Sequence, residues 1–293
     1  MLFRNGRESD NIEDRRDEGG GGGFGGFGGG RSIGVGTIVI ALVAMYFGID
    51  PRVVLDTAGV TQQRPPAEAA HRAAPRSAAE NELARFSSMV LADTEDTWGA
   101  LFKEAGGRYD QPRMVLYTGA TRSGCGVGQA AMGPFYCPAD QKVYLDLSFF
   151  NELKDRFRAP GDFAQAYVIA HEVGHHVQNL LGISEKVQRA RERVSERQGN
   201  QLSVRLELQA DCLAGVWAHH ADRARHVLEA GDVEEALGAA TAIGDDRLQE
   251  QSQGRVVPDS FTHGSSAQRV RWFRIGLEKG ALKSCDTFNT AKL

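Results

Sequence analysis

The sequence predicts an α+β domain that is mainly helical, carries a small β-sheet and follows one N-terminal transmembrane helix. Three observations predict this class. Residues 33–49 form an uncharged apolar run, apolar residues recur at helical spacing over 82–104 and from residue 162 onward, and short runs of strand-forming residues lie between those helical regions. The 293 residues are enough for one good-sized domain with appendages, and no internal repeat is visible.

The composition argues against one broad class of function. With 41% hydrophobic and 25% charged residues, it is ordinary for a globular protein. The net charge of −4 gives no basic surface for a phosphate backbone. We therefore expect no nucleic-acid partner.

Residues 1–32 are predicted to form a disordered tail that ends in a flexible tether. Residues 7–18 mix both charges and contain almost nothing apolar to bury. Residues 19–30 are glycine, interrupted only by Phe24 and Phe27. The sequence identifies no protein partner for this tail.

The apolar run at 33–49 is predicted to be a membrane anchor. A cleaved signal peptide would follow a short charged region, whereas more than thirty residues precede this run. A buried core helix would show a polar stripe, and this segment has none. Seventeen residues are at the short end of what spans a bilayer as a helix.

Arginine residues predict the orientation of this single span. More of them precede the run than follow it closely, and the positive-inside rule then keeps the tail in the cytoplasm and sends the rest across the membrane. The preceding arginines are Arg4, Arg7, Arg15, Arg16 and Arg31, and the following ones are Arg52 and Arg64.

Beyond the anchor, residues 50–80 are rich in proline, alanine and charge, and are predicted to be a flexible linker. The folded domain is predicted to occupy 81–293. Its first helix covers 82–104 because apolar residues recur there at helical spacing. Short strands are predicted at 114–117, 131–136 and 143–147.

A third predicted helix carries two histidines four residues apart. Asp162, with Gln165 three residues on, predicts an N-terminal capping box. The helix then reaches His171 and His175, which project from the same face and can bind one Zn²⁺ at about 2.0–2.1 Å each. Glu172 lies beside them, where it can act as general base on a water molecule. The alternative interpretation is a helix that carries two surface histidines by chance.

A catalytic zinc site needs a third protein ligand, and Glu207 is the candidate. Asp211 follows it at helical spacing, so both carboxylates lie on one face of a later helix. Asp211 is predicted to accept a hydrogen bond from the free ring nitrogen of a ligand histidine. Taken alone, the two residues could equally be exposed helix carboxylates.

These residues resemble a known class. An HExxH helix followed by Glu-x-x-Ala-Asp is similar to the gluzincin metallopeptidases, in which that glutamate is the third ligand. Over most of its length the chain also resembles the family of bacterial membrane-anchored neutral zinc metallopeptidases. The matching stretches are Arg7–Asp10, Thr94–Trp98, Gly133–Asp140, His171–Gln178, Glu207–Cys212 and Thr262–Arg269.

The resemblance implies a zincin-like fold, Zn²⁺ as cofactor, and hydrolysis of a peptide or protein substrate. It also implies a single-pass protein of the bacterial inner membrane, with a cytoplasmic N-terminus and a periplasmic catalytic domain. In a zincin-like fold the strand at 131–136 would be an edge strand with which a substrate backbone could pair. An ordinary sheet strand is the alternative.

Two further histidines, His263 and His176, are candidates for a role in the site. His263 could donate a hydrogen bond to a developing oxyanion, or it could cap the helix that follows it. His176 is expected to pack or to support a ligand, because it points about 100° away from His175 around the helix.

The four cysteines allow three pairings. An oxidising location would favour a bridge between Cys125 and Cys137, which leaves Cys212 and Cys285 as the second pair. This pairing stays a hypothesis at the level of sequence.

Two functions compete. The first is a zinc peptidase with Glu172 as base. The second is a non-catalytic zinc-binding adaptor anchored in the membrane. Structural zinc sites are usually closed by four protein ligands. A fourth ligand would therefore favour the adaptor.

Overall fold

The computed structural model describes Met1, residues 6–18 and residues 76–293. The predicted anchor at 33–49, the glycine-rich tether and nearly all of the predicted linker lie outside these residues. Within the described part of the chain, no helix is both long enough and apolar enough to cross a membrane.

The described residues form an α+β fold that is mainly helical, as predicted. The strands within the described ranges are β1 Ile12–Asp14, β2 Arg113–Tyr117, β3 Ala120–Ser123, β4 Gly126–Gln129, β5 Phe135–Cys137 and β6 Lys142–Asp146. The α-helices in this part of the chain are α1 Ala78–Glu104, α2 Ser148–Asp155, α3 Asp162–Leu180, α4 Ile183–Arg191, α5 Glu196–Arg225, α6 Asp232–Ala242, α7 Asp245–Gln253 and α8 Ser266–Lys279. Short 3₁₀ turns cover Ala130–Met132, Pro258–Ser260 and Leu282–Cys285.

Four of the strands make one sheet in the order β1-β2-β6-β5, and β3 and β4 form a separate hairpin. β1 and β6 both run parallel to β2, while β5 runs antiparallel to β6. The strands predicted at 114–117 and 143–147 correspond to β2 and β6. The strand predicted at 131–136 is wrong in its first half, because a 3₁₀ turn precedes Gly133, whose φ of 78° ends any extended run there.

Part of the N-terminal tail predicted to be disordered is ordered, because residues 12–14 form β1 of the sheet and residues 7–11 contact α1. Glu95 of α1 is 2% exposed, and its carboxylate accepts hydrogen bonds from Arg7 at 2.9 Å, Ser9 at 2.5 Å and Asn11 at 2.8 Å. An edge strand gains its main-chain hydrogen bonds without apolar side chains. Arg7, one of the charged residues that suggested a solvated tail, thus helps the neutral Ser9 and Asn11 to satisfy a buried carboxylate.

Helix α1 begins earlier than expected. Ser77 accepts a hydrogen bond from the Glu80 backbone at 3.1 Å and caps the helix, so order starts inside the predicted linker. The middle of α1 is buried, with Trp98 fully enclosed.

The hydrophobic core contains side chains of β2, β6, α1, α3, α5, α6 and α8, and α3 contacts the sheet as well as α1, α5 and α6. Helices α3 and α5 approach each other closely at Gly174, where an added Cβ would lie 2.9 Å from the Ala210 carbonyl oxygen. Helices α5 and α8 meet in the same way at Gly276, where a Cβ would overlap the Cys212 carbonyl. Small residues therefore set the spacing between the helices that carry the candidate site.

Candidate metal centre

Helix α3 begins at Asp162, but the predicted capping box is absent. Gly161 is the N-cap, with φ of 125°, and no side chain caps it. Glu235 of α6 accepts the Phe163 N–H at 3.1 Å, and the Asp162 carboxylate faces the Met1 ammonium at 2.9 Å. The start of α3 is thus satisfied by residues distant in sequence.

The three predicted ligands come together between α3 and α5. The Glu207 Oε2 atom lies 3.2 Å from His171 Nε2 and 3.5 Å from His175 Nε2. One donor atom from each residue falls within 4.8 Å of the other two. Two ligands about 2.05 Å from one tetrahedral zinc are about 3.3 Å apart. The donor set therefore fits Zn²⁺ in both chemistry and spacing.

His171 is supported by a buried charged network. Its Nδ1 lies 2.8 Å from Asp211 Oδ1, and the same oxygen accepts a hydrogen bond from Tyr167 at 2.5 Å. Arg269 donates to both oxygens of Asp211 at 2.9 Å and is itself 3% exposed. Sequence reasoning missed Arg269 and Tyr167, although Tyr167 lies one helical turn before His171.

The charges in this network shift the pKa values of its members. For Asp211, burial alone would raise the pKa, but the charges of Arg269 and His171 outweigh it and hold the pKa at about 2. For His171, burial would lower the pKa, whereas the charge of Asp211 and hydrogen bonds to Asp211 and Glu207 raise it to about 10. A divalent cation competes with the proton that this arrangement favours on His171.

Burial would raise the pKa of Glu207, but the charge of His175 and hydrogen bonds from both histidines hold it well below its ordinary value. Glu207 is therefore ionised, as a metal ligand has to be.

His175 has a different kind of support. Its Nδ1 lies 2.9 Å from the Oε1 atom of Gln178, three residues later on the same helix. The Nε2 atom of His175 is left facing Glu207. Sequence reasoning assigned Gln178 no role of its own.

His263 lies in the loop before α8 and lines the same cavity as the three candidate ligands. Asp245 accepts the backbone N–H groups of Thr262, His263 and Gly264 at 2.7, 2.7 and 3.1 Å, and lies 3.2 Å from His263 Nδ1. The hydrogen bond to Asp245 raises the pKa of His263 against the effect of burial, and the charge of Glu207 raises it further. The alternative role as a helix cap is not what the structure shows, since Ser265 caps α8.

His176 is fully buried and is not placed with the ligands. Its Nε2 donates to the Asp110 carbonyl at 2.6 Å, so its Nδ1 accepts a hydrogen bond from the Tyr136 hydroxyl at 3.0 Å. Asn179 also donates to that hydroxyl, at 3.1 Å. These contacts attach the edge strand β5 to the helix that carries the histidines.

A cavity of about 1240 Å³ opens onto the centre. The three ligands, Glu172 and His263 line it together with apolar side chains that include Phe149. Glu172 is 8% exposed and follows His171 directly on α3. The two glutamates and three histidines of the prediction therefore face one cavity.

Both predicted cysteine pairs are bridged. Cys125–Cys137 attaches the turn between β3 and β4 to β5, and Cys212–Cys285 attaches the C-terminal 3₁₀ turn to α5. None of the four cysteines is free.

An HExxH helix packed on a second helix that supplies a glutamate forms a candidate His/His/Glu metal centre, a donor set of the kind found in zinc hydrolases. The chain belongs to the family described as "Putative neutral zinc metallopeptidase", whose sequence profile matches residues 1–288. Zinc is implied by that family name.

The chain is similar to the uncharacterized protein YpfJ of Escherichia coli strain K12, with 53% identity over 98% of this chain and 99% of that protein. It is also similar to the uncharacterized protein Rv2575 of Mycobacterium tuberculosis strain H37Rv, with 40% identity over 85% of this chain and 86% of that protein. No solved structure matches the chain.

Proposed function

We propose that the protein is a zinc-dependent peptidase with a zincin-like catalytic domain. His171, His175 and Glu207 would hold the ion. The observation that carries the proposal is the composition of the ligand cluster, which among the described residues has three members spaced as a tetrahedral zinc requires. Catalytic zinc sites keep one position open in this way, whereas structural sites are usually closed by four protein ligands. This favours the peptidase over the non-catalytic adaptor.

Bound Zn²⁺ would supply a Lewis acid that polarises a carbonyl and lowers the pKa of water. Glu172 would accept a proton from the attacking water at its carboxylate and deliver it to the leaving amine. His263, whose protonated form is favoured because Asp245 raises its pKa, donates a hydrogen bond to the oxygen on which negative charge develops. Asp211 keeps His171 in the tautomer that presents Nε2.

The substrate of this proposal is a polypeptide in an extended conformation. β5 is an edge strand of its sheet, and its residues Phe135 and Tyr136 line the cavity next to the ligands. A peptide backbone can add to such an edge by main-chain hydrogen bonds. The apolar lining of the cavity suits an apolar side chain of the substrate.

The proposal places the catalytic domain on the extracytoplasmic side of the membrane, with the segment at 33–49 as its membrane contact. The two disulfides support this location, since such bonds persist in oxidising compartments. The cytoplasmic N-terminus predicted from the arginines is not kept in this proposal, because residues 12–14 pair with β2 in the sheet of the catalytic domain.

The experiment is the substitution Glu172→Gln in the full chain. We expect zinc content to stay near one ion per chain, while cleavage of casein falls by about 10²–10⁴-fold. Glu192→Gln, at an exposed glutamate of the loop after α4, is the matched control and should cleave at the wild-type rate. A Glu172→Gln chain as active as wild type would overturn the mechanism. Zinc retained without cleavage by the wild-type chain would favour the adaptor.

A further inference from the structure

A continuous chain of side-chain amides joins His175 to the Cys212–Cys285 disulfide. His175 Nδ1 lies 2.9 Å from Gln178 Oε1, and Gln178 Nε2 donates to Gln209 Oε1 at 3.1 Å. Gln209 Nε2 then donates to the Cys285 carbonyl oxygen at 2.9 Å. Three hydrogen bonds therefore link a candidate metal ligand with the C-terminal 3₁₀ turn.

Two backbone carbonyls fix the orientation of both amides. The Leu206 carbonyl can only accept, so the Gln178 amide points its nitrogen at that oxygen, 2.7 Å away, and its own oxygen at His175. The Cys285 carbonyl fixes Gln209 in the same way. His175 Nδ1 must then carry a hydrogen, which leaves the Nε2 lone pair for the metal.

The hydrogen-bonded residues from Gln178 to Cys285 are shielded from solvent. Gln178 is 0% exposed, Gln209 8% and Cys285 1%, so solvent cannot replace a lost partner at these positions. An unsatisfied buried amide or carbonyl costs about 1–3 kcal/mol. The arrangement therefore strongly disfavours other ring orientations of His175.

Gln178 also connects the two helices that supply the ligands. It lies on α3 beside His175, and the carbonyl to which it donates belongs to Leu206, the residue before Glu207 on α5. One side chain thus relates the position of the second histidine to that of the glutamate.

We propose that Gln178 and Gln209 are positioning residues of the metal centre, and that the Cys212–Cys285 disulfide holds in place the carbonyl at which their chain ends. The proposal rests on the metal site of the proposed function, and not on its catalytic step. It makes zinc affinity depend on the oxidation state of one particular cysteine pair.

The first test is zinc affinity of the full chain, measured by competition with a chromogenic chelator. Gln178→Met keeps the length of the side chain and removes both hydrogen-bonding groups. We expect it to weaken zinc binding by about 10–100-fold, the usual effect of losing a group that orients a ligand histidine. Asn179→Ala is the matched control: this neighbouring amide bonds to Tyr136 instead, and its loss should leave zinc affinity within about twofold. Wild-type affinity in Gln178→Met would overturn the proposal.

The second test concerns the Cys212–Cys285 disulfide, at the end of the hydrogen-bond series opposite His175. Replacing Cys212 and Cys285 by alanine should weaken zinc binding by about threefold or more, whereas replacing Cys125 and Cys137 should not change it. In a Gln209→Met background, loss of the Cys212–Cys285 pair should have no further effect, because the route is already interrupted.

A merely structural role for the disulfide would give additive losses in that double-mutant cycle, and additivity would overturn the proposal. A wild-type chain that binds zinc but cleaves nothing would overturn the proposed peptidase while leaving this inference intact. A wild-type chain that binds no zinc would overturn both.

Discussion

The two candidate ligand histidines lie one helical turn apart on α3, yet their surroundings differ in kind. His171 faces a carboxylate that is neutralised by a buried guanidinium, and these groups come from α5 and α8. His175 faces a neutral amide from its own helix. In both cases Nδ1 meets an oxygen acceptor and Nε2 is directed at Glu207.

The orientation of a ligand histidine and the charge placed beside it are therefore separable properties of its hydrogen-bond partner. Both partners fix a tautomer, but only Asp211 places a full negative charge beside the imidazole. Arg269 balances that charge, so the ligand set as a whole carries the single negative charge of Glu207 towards a divalent ion. The support of His171 depends on the opposite charges of Asp211 and Arg269, which are both buried. The support of His175 by Gln178 involves no such charges.

The largest expected effect, on both stability and zinc binding, comes from replacing Asp211, the charged partner of His171. Asp211→Asn leaves Arg269 buried without its counter-ion, and breaking such a pair costs about 3–5 kcal/mol. We expect a loss of that size in the free energy of unfolding of the zinc-free chain, measured with urea, and zinc binding weaker by about 10–100-fold.

Adding Arg269→Met to Asp211→Asn removes the unpaired charge and serves as the control. It should recover part of the stability without recovering zinc affinity. A single variant as stable as wild type would show that the charges are not tightly coupled, and the comparison would lose its basis.

A smaller effect on zinc binding is expected when Gln178, the neutral partner of His175, is replaced by a charged residue. In Gln178→Glu a carboxylate replaces the amide, and it would face the Leu206 carbonyl and Gln209 Oε1 with no hydrogen to donate. We expect zinc binding to weaken by about tenfold at neutral pH, despite the added negative charge near His175. Tighter binding, measured in the same chelator competition, would mean that a carboxylate serves either histidine equally well.

The smallest expected effect is on the pH dependence of activity, and it concerns His263, whose partner is the carboxylate of Asp245. His263 is active in the proposed mechanism when protonated, so activity holds below its pKa and is lost as pH rises through it. Asp245 raises that pKa. In Asp245→Asn the alkaline limb of the kcat/KM profile should therefore move to lower pH, with the acid limb unchanged. An unmoved alkaline limb would assign it to another group.

Much of this centre could be predicted from sequence because its spacing is local. His171 and His175 are one helical turn apart, as are Glu207 and Asp211, so each pair falls on one helix face without knowledge of the tertiary fold. The partner of His175 was equally local, but a glutamine near a histidine has no distinctive pattern. Arg269 could not be placed, because its contact with Asp211 depends on how α8 packs against α5.

The fold was predicted less well at its N-terminus. β1 is three residues long, and its partner β2 begins about a hundred residues later, so no local pattern marks the pairing. The capping error at Asp162 has the same origin, since Glu235 of α6 supplies the acceptor that the sequence assigned to a local side chain. Contacts of this kind are decided by tertiary structure, which local spacing does not reveal.

The position of β1 also limits the path of the chain. Residues 12–14 hydrogen-bond with residues 114–116 in one sheet, and a sheet cannot be divided by a bilayer. Residues 18 and 76, the described residues on either side of the gap, therefore lie on the same side of any membrane that the protein meets.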